Sequence, residues 1–187
     1  MQQRFLILIL AFVLGVLPMP ASAADQKILD PENTVYLDLP AGRVTIQLRP
    51  DLAPNSVARF KKLVREGFYN GLTFHRVIPG FMAQTGDPRG DGTGGSGKHL
   101  KAEFTKAPFV RGTLGMARSS DPDSADSQFF ICYDDASFLN GKYTVFGEVI
   151  SGMEAVDKIK MGTQANNGKV DNPTKIVKME MAADAKK

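Results

Sequence analysis

The chain of 187 residues holds a single cysteine, Cys132, and only two histidines, His75 and His99. One cysteine excludes an intramolecular disulfide framework. Cys132 ends the apolar run FFIC, which suits a small buried hydrophobe, and no His or Asn partner can be placed beside it to make a nucleophile. Charge of one sign is also lacking. The 23 Lys and Arg stand against 20 Asp and Glu, a net charge of +3, and the basic residues are scattered, so there is no clustered stripe or module for nucleic acid. There is no internal repeat and no low-complexity linker, and 18 Gly and 11 Pro are unremarkable, which excludes a collagen-like or disordered chain.

Long apolar runs are scarce as well. The one that exists, residues 5–17, follows Arg4, is broken by Pro18 and Pro20, and leads to Ala21-Ser22-Ala23. It falls short of the ~20 apolar residues that span a bilayer. A basic start, an apolar centre and a small-x-small site predict a secretory signal peptide over residues 1–23, cleaved after Ala23. One domain then occupies residues 24–187, exported to a periplasm or into the medium, monomeric by default and without stable membrane association after cleavage.

What the rest of the chain has is period-2 alternation. Val35, Leu37 and Leu39 alternate with polar neighbours, as do Val44, Ile46 and Leu48, with a turn at Pro40-Ala41-Gly42 between them. Val177, Met179 and Met181 repeat the pattern. Further strands are predicted around residues 74–78, 81–85, 113–117, 128–133 and 145–150. Two segments read as helices: one starting at Pro54 and running to about Arg65, with Val57, Phe60 and Val64 on one face, and one capped by Ser151 with Glu154 and ending near Gly162. Eight strands and two helices in one domain predict a mainly β fold, a barrel or sandwich that hides its edges, with the helices over its ends.

The most informative stretch is FHRVIPGFMAQTGD, residues 74–87. An arginine in a strand, followed by Phe81, Met82 and Gln84, is an odd mixture for a core. Met82 and Gln84 share a face, as do Gln128 and Phe130. Such a surface offers an apolar hollow beside hydrogen-bond donors, which suits an uncharged peptide better than a phosphate or a metal.

These residues, with GTGG at 92–95, GTLGMAR at 112–118, SQFFI at 127–131 and FLNGKYTVFGEVISGMEAVDKI at 138–159, make the chain resemble the cyclophilin family of peptidyl-prolyl isomerases, most closely its exported bacterial members. The resemblance implies a closed eight-stranded antiparallel barrel capped by two helices, and isomerisation of X–Pro bonds in folding proteins, without cofactor or metal. Residue by residue, it implies Arg76 as the catalytic arginine, and Phe81, Met82, Phe130 and Leu139 as the pocket for the proline ring. It implies Gln84 as a residue that bonds the substrate backbone and orients the arginine. Ala117 and Arg118 match the groove strand that meets residues before proline, and Gln128 a polar groove residue. Phe138 stands where well-known eukaryotic members have Trp, and Tyr143 where they have His. Phenylalanine has no N–H donor, so cyclosporin binding is not expected.

Other readings are weaker. A catalytically idle module holding Pro-containing partners would have been signalled by loss of Arg76, which is present. A hydrolase finds no nucleophile–base pair. His75 neighbours Arg76 and should point to the opposite face as a buried, hydrogen-bonded structural residue. The glycine-rich residues 90–97 lack the GK[ST] ending of a phosphate loop and read as one wall of the groove. Asp121, Asp123 and Asp126 fail the EF-hand pattern and read as a solvated acidic loop.

Overall fold

The computed structural model describes residues 30–186; the predicted signal peptide lies outside the described residues. The alternating segments form eight strands: β1 (Thr34–Leu39), β2 (Gly42–Leu48), β3 (Arg76–Ile78), β4 (Met82–Thr85), β5 (Thr113–Met116), β6 (Phe129–Cys132), β7 (Val145–Ser151) and β8 (Lys178–Met181). They make one antiparallel sheet in the order β3-β4-β6-β5-β7-β2-β1-β8. Alternation sorts their side chains. Val35, Leu37, Val44, Ile46, Ala83, Leu114, Phe129, Ile131 and Met179 turn into the main core, while Met82, Phe130 and Cys132 join a second apolar cluster with Phe109 and Leu139.

Helix α1 (Pro54–Arg65) covers one end of the core. Phe60 packs against the rings of Tyr69, Phe129 and Phe146, with centroids 5.1, 5.3 and 5.0 Å away. Its N-cap, Ala53, has no side chain able to accept a hydrogen bond. Glu103 supplies the cap from 47 residues away: Oε1 accepts from the Asn55 amide at 2.9 Å and Oε2 from the Ser56 amide at 2.9 Å.

Three expectations are corrected. The sheet is an open half-barrel and not a closed barrel, because β3 and β8 do not pair. The residues between them along this edge cannot run as a strand: Pro173 has no N–H, and Asn167 and Asn172 have φ of 57° and 48°. This segment covers the β3 edge by scattered bonds, from the Val77 amide to the Gly168 carbonyl at 2.7 Å and from the Phe74 amide to the Thr174 carbonyl at 2.9 Å. The second helix, α2 (Met153–Val156), is a single turn. Ser151 stays in β7, and the chain leaves through Gly152 at φ 87°, where a Cβ would lie 2.2 Å from the Arg43 carbonyl. Only glycine fits there, so no Ser151 cap forms. Val177 precedes β8 and is 61% exposed instead of buried, since the β1–β8 ladder ends at Asp38 and Lys178.

Candidate active site

Three neighbouring strands set a row of side chains across the sheet. Arg76 on β3 lies opposite Gln84 on β4, and Gln84 lies opposite Phe130 on β6. Cross-strand partners share a face, so one register brings the guanidinium, the amide and the ring together. Phe130 needs space behind it, and Gly115 on β5 provides it: a Cβ there would sit 2.3 Å from the Phe130 ring and 2.6 Å from the Phe109 ring. Phe109 and Phe130 stack with centroids 5.7 Å apart.

In front of this row lies a cavity of about 230 Å³ lined by Arg76, Phe81, Met82, Gln84, Ala117, Arg118, Phe130, Phe138, Leu139 and Tyr143. Ten of the sequence-predicted residues thus surround one hollow. Phe138 forms its outer lip, 60% exposed, with its ring 5.2 Å from that of Phe81. Gln128, the remaining predicted residue, lines an adjoining polar groove of about 590 Å³ together with Gln84, Ala117, Arg118 and the glycine-rich residues 92–97. Those glycines form a groove wall, as expected.

The polar groups are tied in series. Arg76 Nη1 donates to Gln84 Oε1 at 3.1 Å, and Gln84 Nε2 donates to Gln128 Oε1 at 2.9 Å. Gln128 Nε2 in turn donates to the Gly94 carbonyl at 2.8 Å and the Gly92 carbonyl at 3.0 Å. On its other side Arg76 Nε donates to the Asn167 carbonyl at 3.0 Å and Nη2 to Asn167 Oδ1 at 2.9 Å. Three of the five guanidinium N–H groups are therefore committed to the protein, and two are left for a ligand. Burial lowers the Arg76 pKa, opposed by Tyr143, and the group remains a cation at any ordinary pH.

Sequence reasoning missed Asn167. Asn-Asn-Gly at 166–168 reads as a turn able to take positive φ, but nothing in it points to an arginine 91 residues away. Arg118 also differs in detail. Its guanidinium donates to the carbonyls of Lys142 and Ser119, both at 2.9 Å, and stacks on Tyr143 at 4.4 Å. It braces the groove wall instead of presenting a free charge.

Four other sequence readings meet the structure here. Cys132 is fully buried beneath the cavity, and burial pushes its thiol pKa up to about 12, so it is inert. His75 is buried as expected, but neither ring nitrogen finds a hydrogen-bond partner among the described residues. Burial lowers its pKa, with the nearby Asp87 carboxylate opposing. Asp121 and Asp123 are exposed, whereas Asp126 turns inward and accepts from the Ser96 hydroxyl and from the Gly97 and Lys98 amides at 2.8 and 3.1 Å. Asp87, also unremarked in the sequence, is 1% exposed and accepts from the amides of Arg89, Asp91 and Gly92, holding the turn that begins the groove wall.

The mainly β fold, with an arginine beside an aromatic-walled cavity that opens into a longer groove, defines a cyclophilin-like protein. The family model for cyclophilin type peptidyl-prolyl cis-trans isomerase matches residues 34–181. A Brucella suis protein named "Probable peptidyl-prolyl cis-trans isomerase" is 62% identical over 178 residues, covering 89% of this chain and 88% of its own. Peptidyl-prolyl cis-trans isomerase B of Bacillus subtilis is 47% identical over 133 residues, covering 70% of this chain and 92% of its own. Among solved structures, a cyclophilin from Hirschia baltica superposes with a TM-score of 0.75 at 28% identity, covering 84% of this chain and 76% of that one. A Cryptosporidium parvum cyclophilin type isomerase, crystallised in the presence of the dipeptide Ala-Pro, gives 0.72 at 30% identity, covering 79% and 98%. The chain belongs to the cyclophilin-type peptidyl-prolyl cis-trans isomerase family, and it is an isomerase.

Proposed function

We propose that the protein accelerates cis–trans exchange at X–Pro bonds of polypeptides folding outside the cytoplasm, with Arg76 as its catalytic residue and no cofactor. The observation that carries this reading is a guanidinium fixed from two sides at the rim of a cavity of about 230 Å³ whose wall includes Phe81, Met82, Phe130 and Leu139.

Amide resonance sets a rotation barrier of ~18–20 kcal/mol. At X–Pro the two isomers are nearly balanced in energy but exchange over tens to hundreds of seconds. In the twisted state the prolyl nitrogen loses conjugation and regains a lone pair. A proline ring held among Phe81, Met82, Phe130 and Leu139 brings that nitrogen toward Arg76, whose free N–H groups stabilise the lone pair more than the planar amide. Gln84 orients the arginine and meets the substrate backbone. Ala117 and Arg118 receive the residues before proline, and Gln128 keeps the glycine-rich wall in place. No bond is made to the protein and no proton is transferred. Phe138 offers the cavity a ring without an N–H, so cyclosporin binds poorly in this reading.

The test is the exchange rate of a short X–Pro peptide measured by NMR with wild type and with Arg76→Ala. Acceleration by wild type that falls at least tenfold in the variant, equivalent to ~1.4 kcal/mol of transition-state stabilisation, supports the role of Arg76. Undiminished acceleration in the folded variant discards it. Binding without acceleration by wild type would instead favour a module that only holds Pro-containing partners.

A further inference from the structure

The cavity and the groove account for a proline and its immediate neighbours, but the concave surface continues beyond them. Past residues 96–97 the groove borders a further depression of about 570 Å³, between α1 and residues 98–101, and His99 lines both. The charged groups of this basin are Arg59, Lys62, Lys98 and Lys101. Among the described residues, Lys98 and Lys101 form no ion pair and their ammonium groups meet no hydrogen-bond acceptor. Arg59 donates to Ser96 Oγ at 2.6 Å, while its buried Nε has no partner. Lys62 lies 3.5 Å from Glu66, an exposed pair of little weight.

Among the described residues only one nearby carboxylate, Glu66, forms an ion pair with a cation of the basin; the others face backbone amides and hydroxyls. Glu103 caps α1 with both oxygens, and Asp126 accepts from Ser96, Gly97 and Lys98. Asp123 accepts from the Ala102 amide at 2.8 Å. In a chain whose net charge is only +3, four cations around one depression are a local arrangement and not a bulk property.

We propose that this basin is a subsite for acidic residues of the client polypeptide, lying on the N-terminal side of the proline being isomerised. The inference rests on the functional reading above. Continuity selects a segment of the client over a separate anion. The proline cavity and the groove share Gln84, Ala117 and Arg118, and the groove and the basin share His99. A chain anchored by its proline, with the preceding residues along Ala117 and Arg118, advances ~3.3–3.6 Å per extended residue and passes from groove to basin. Lysines on flexible stems suit carboxylates at several registers, and their field draws an acidic segment in before it docks.

The test compares four peptides sharing one X–Pro core: neutral, with a Glu triplet before the proline, with a Glu triplet after it, and with a Lys triplet before it. The expected result is a KM about 3- to 10-fold lower for Glu before proline than for the neutral peptide, as two or three exposed ion pairs provide. The advantage shrinks at about 0.5 M salt, where screening is strong. A Lys triplet reverses it, and K98Q/K101Q brings the ratio of the two KM values toward unity. Equal KM for Glu before and after proline, or a preference that survives K98Q/K101Q, overturns the proposal. Turnover of the neutral peptide separates the two readings. If it persists with no acidic preference, only the subsite fails; if it is absent, the isomerase reading fails. If no Glu peptide gains while vesicles of phosphatidylcholine and phosphatidylglycerol bind wild type and not K98Q/K101Q, the basin serves a membrane surface and the proposal falls.

Discussion

Replacing Asn167 by glycine isolates one support of Arg76, the residue proposed above as catalytic. Asn167 sits at φ 57°, so glycine keeps the backbone without strain, and with it the carbonyl that accepts from Arg76 Nε. What is lost is the side-chain acceptor of Nη2 at 2.9 Å. A hydrogen bond to a charged group contributes ~1.5–3 kcal/mol, and this one is solvent-facing, so the lower end applies. If about 1–2 kcal/mol of that orientation is felt in the transition state, kcat falls by about 5- to 30-fold. KM should hardly change, because Asn167 does not line the cavity beside Arg76. The assay is NMR exchange of an X–Pro peptide over a range of substrate concentrations, beside thermal unfolding. Full wild-type kcat in a folded N167G protein refutes the claim that this side chain orients Arg76. A rise in KM with kcat intact refutes it too, since that would make Asn167 part of substrate binding.

Three further predictions follow from the packing and the ionisable groups. Gly115→Ala forces a methyl into the Phe130 and Phe109 rings, so it should lower stability by about 1–3 kcal/mol and raise KM by displacing the cavity wall; unchanged unfolding and KM would count against the close approach. Glu103→Gln should cost about 1–2 kcal/mol at neutral pH, read as a Tm lower by about 2–8 °C, because the charge is lost and one of the two capping acceptors becomes an NH2 facing another donor. Burial opposes ionisation of Glu103, but hydrogen bonds from Ser56 and Asn55 outweigh it and hold its pKa below the ordinary value. Its contribution is therefore complete above the unfolded value near 4.5 and disappears as pH falls through the folded one, so the stability curves of wild type and variant should converge in acid. Burial depresses the His75 pKa, so the unfolded chain takes up this proton first as pH drops below about 6.5. Wild type should lose stability from there downward relative to His75→Gln in urea titrations, and parallel curves would show that His75 does not resist protonation.

Much of this was legible in the chain because alternation is a local property. The apolar positions of β1 and β2 declare which way each side chain turns, and spacing pairs Met82 with Gln84 and Gln128 with Phe130, while the site roles of Arg76, the two glutamines and the aromatic pocket rest on the family resemblance. The parts that were not legible depend on distant partners or on backbone contacts. Ser151 and Glu154 have the spacing of a helix cap, yet the close approach of Gly152 to β2 decides where α2 begins. The α1 cap comes from Glu103, which no pattern near Pro54 announces. Whether the barrel closes is settled by residues 167–176, where a proline and two left-handed asparagines prevent strand pairing.

The same edge governs the order in which the enzyme comes into being. β1, near the start of the domain, pairs on one side with β8, the last strand, and Arg76 gains its second brace only when residue 167 has docked. Contacts this far apart in sequence raise the contact order and slow folding. A growing chain thus carries an arginine held from one side only until residue 167 has appeared. A partly made copy that ends before residue 167 therefore holds Arg76 through Gln84 alone.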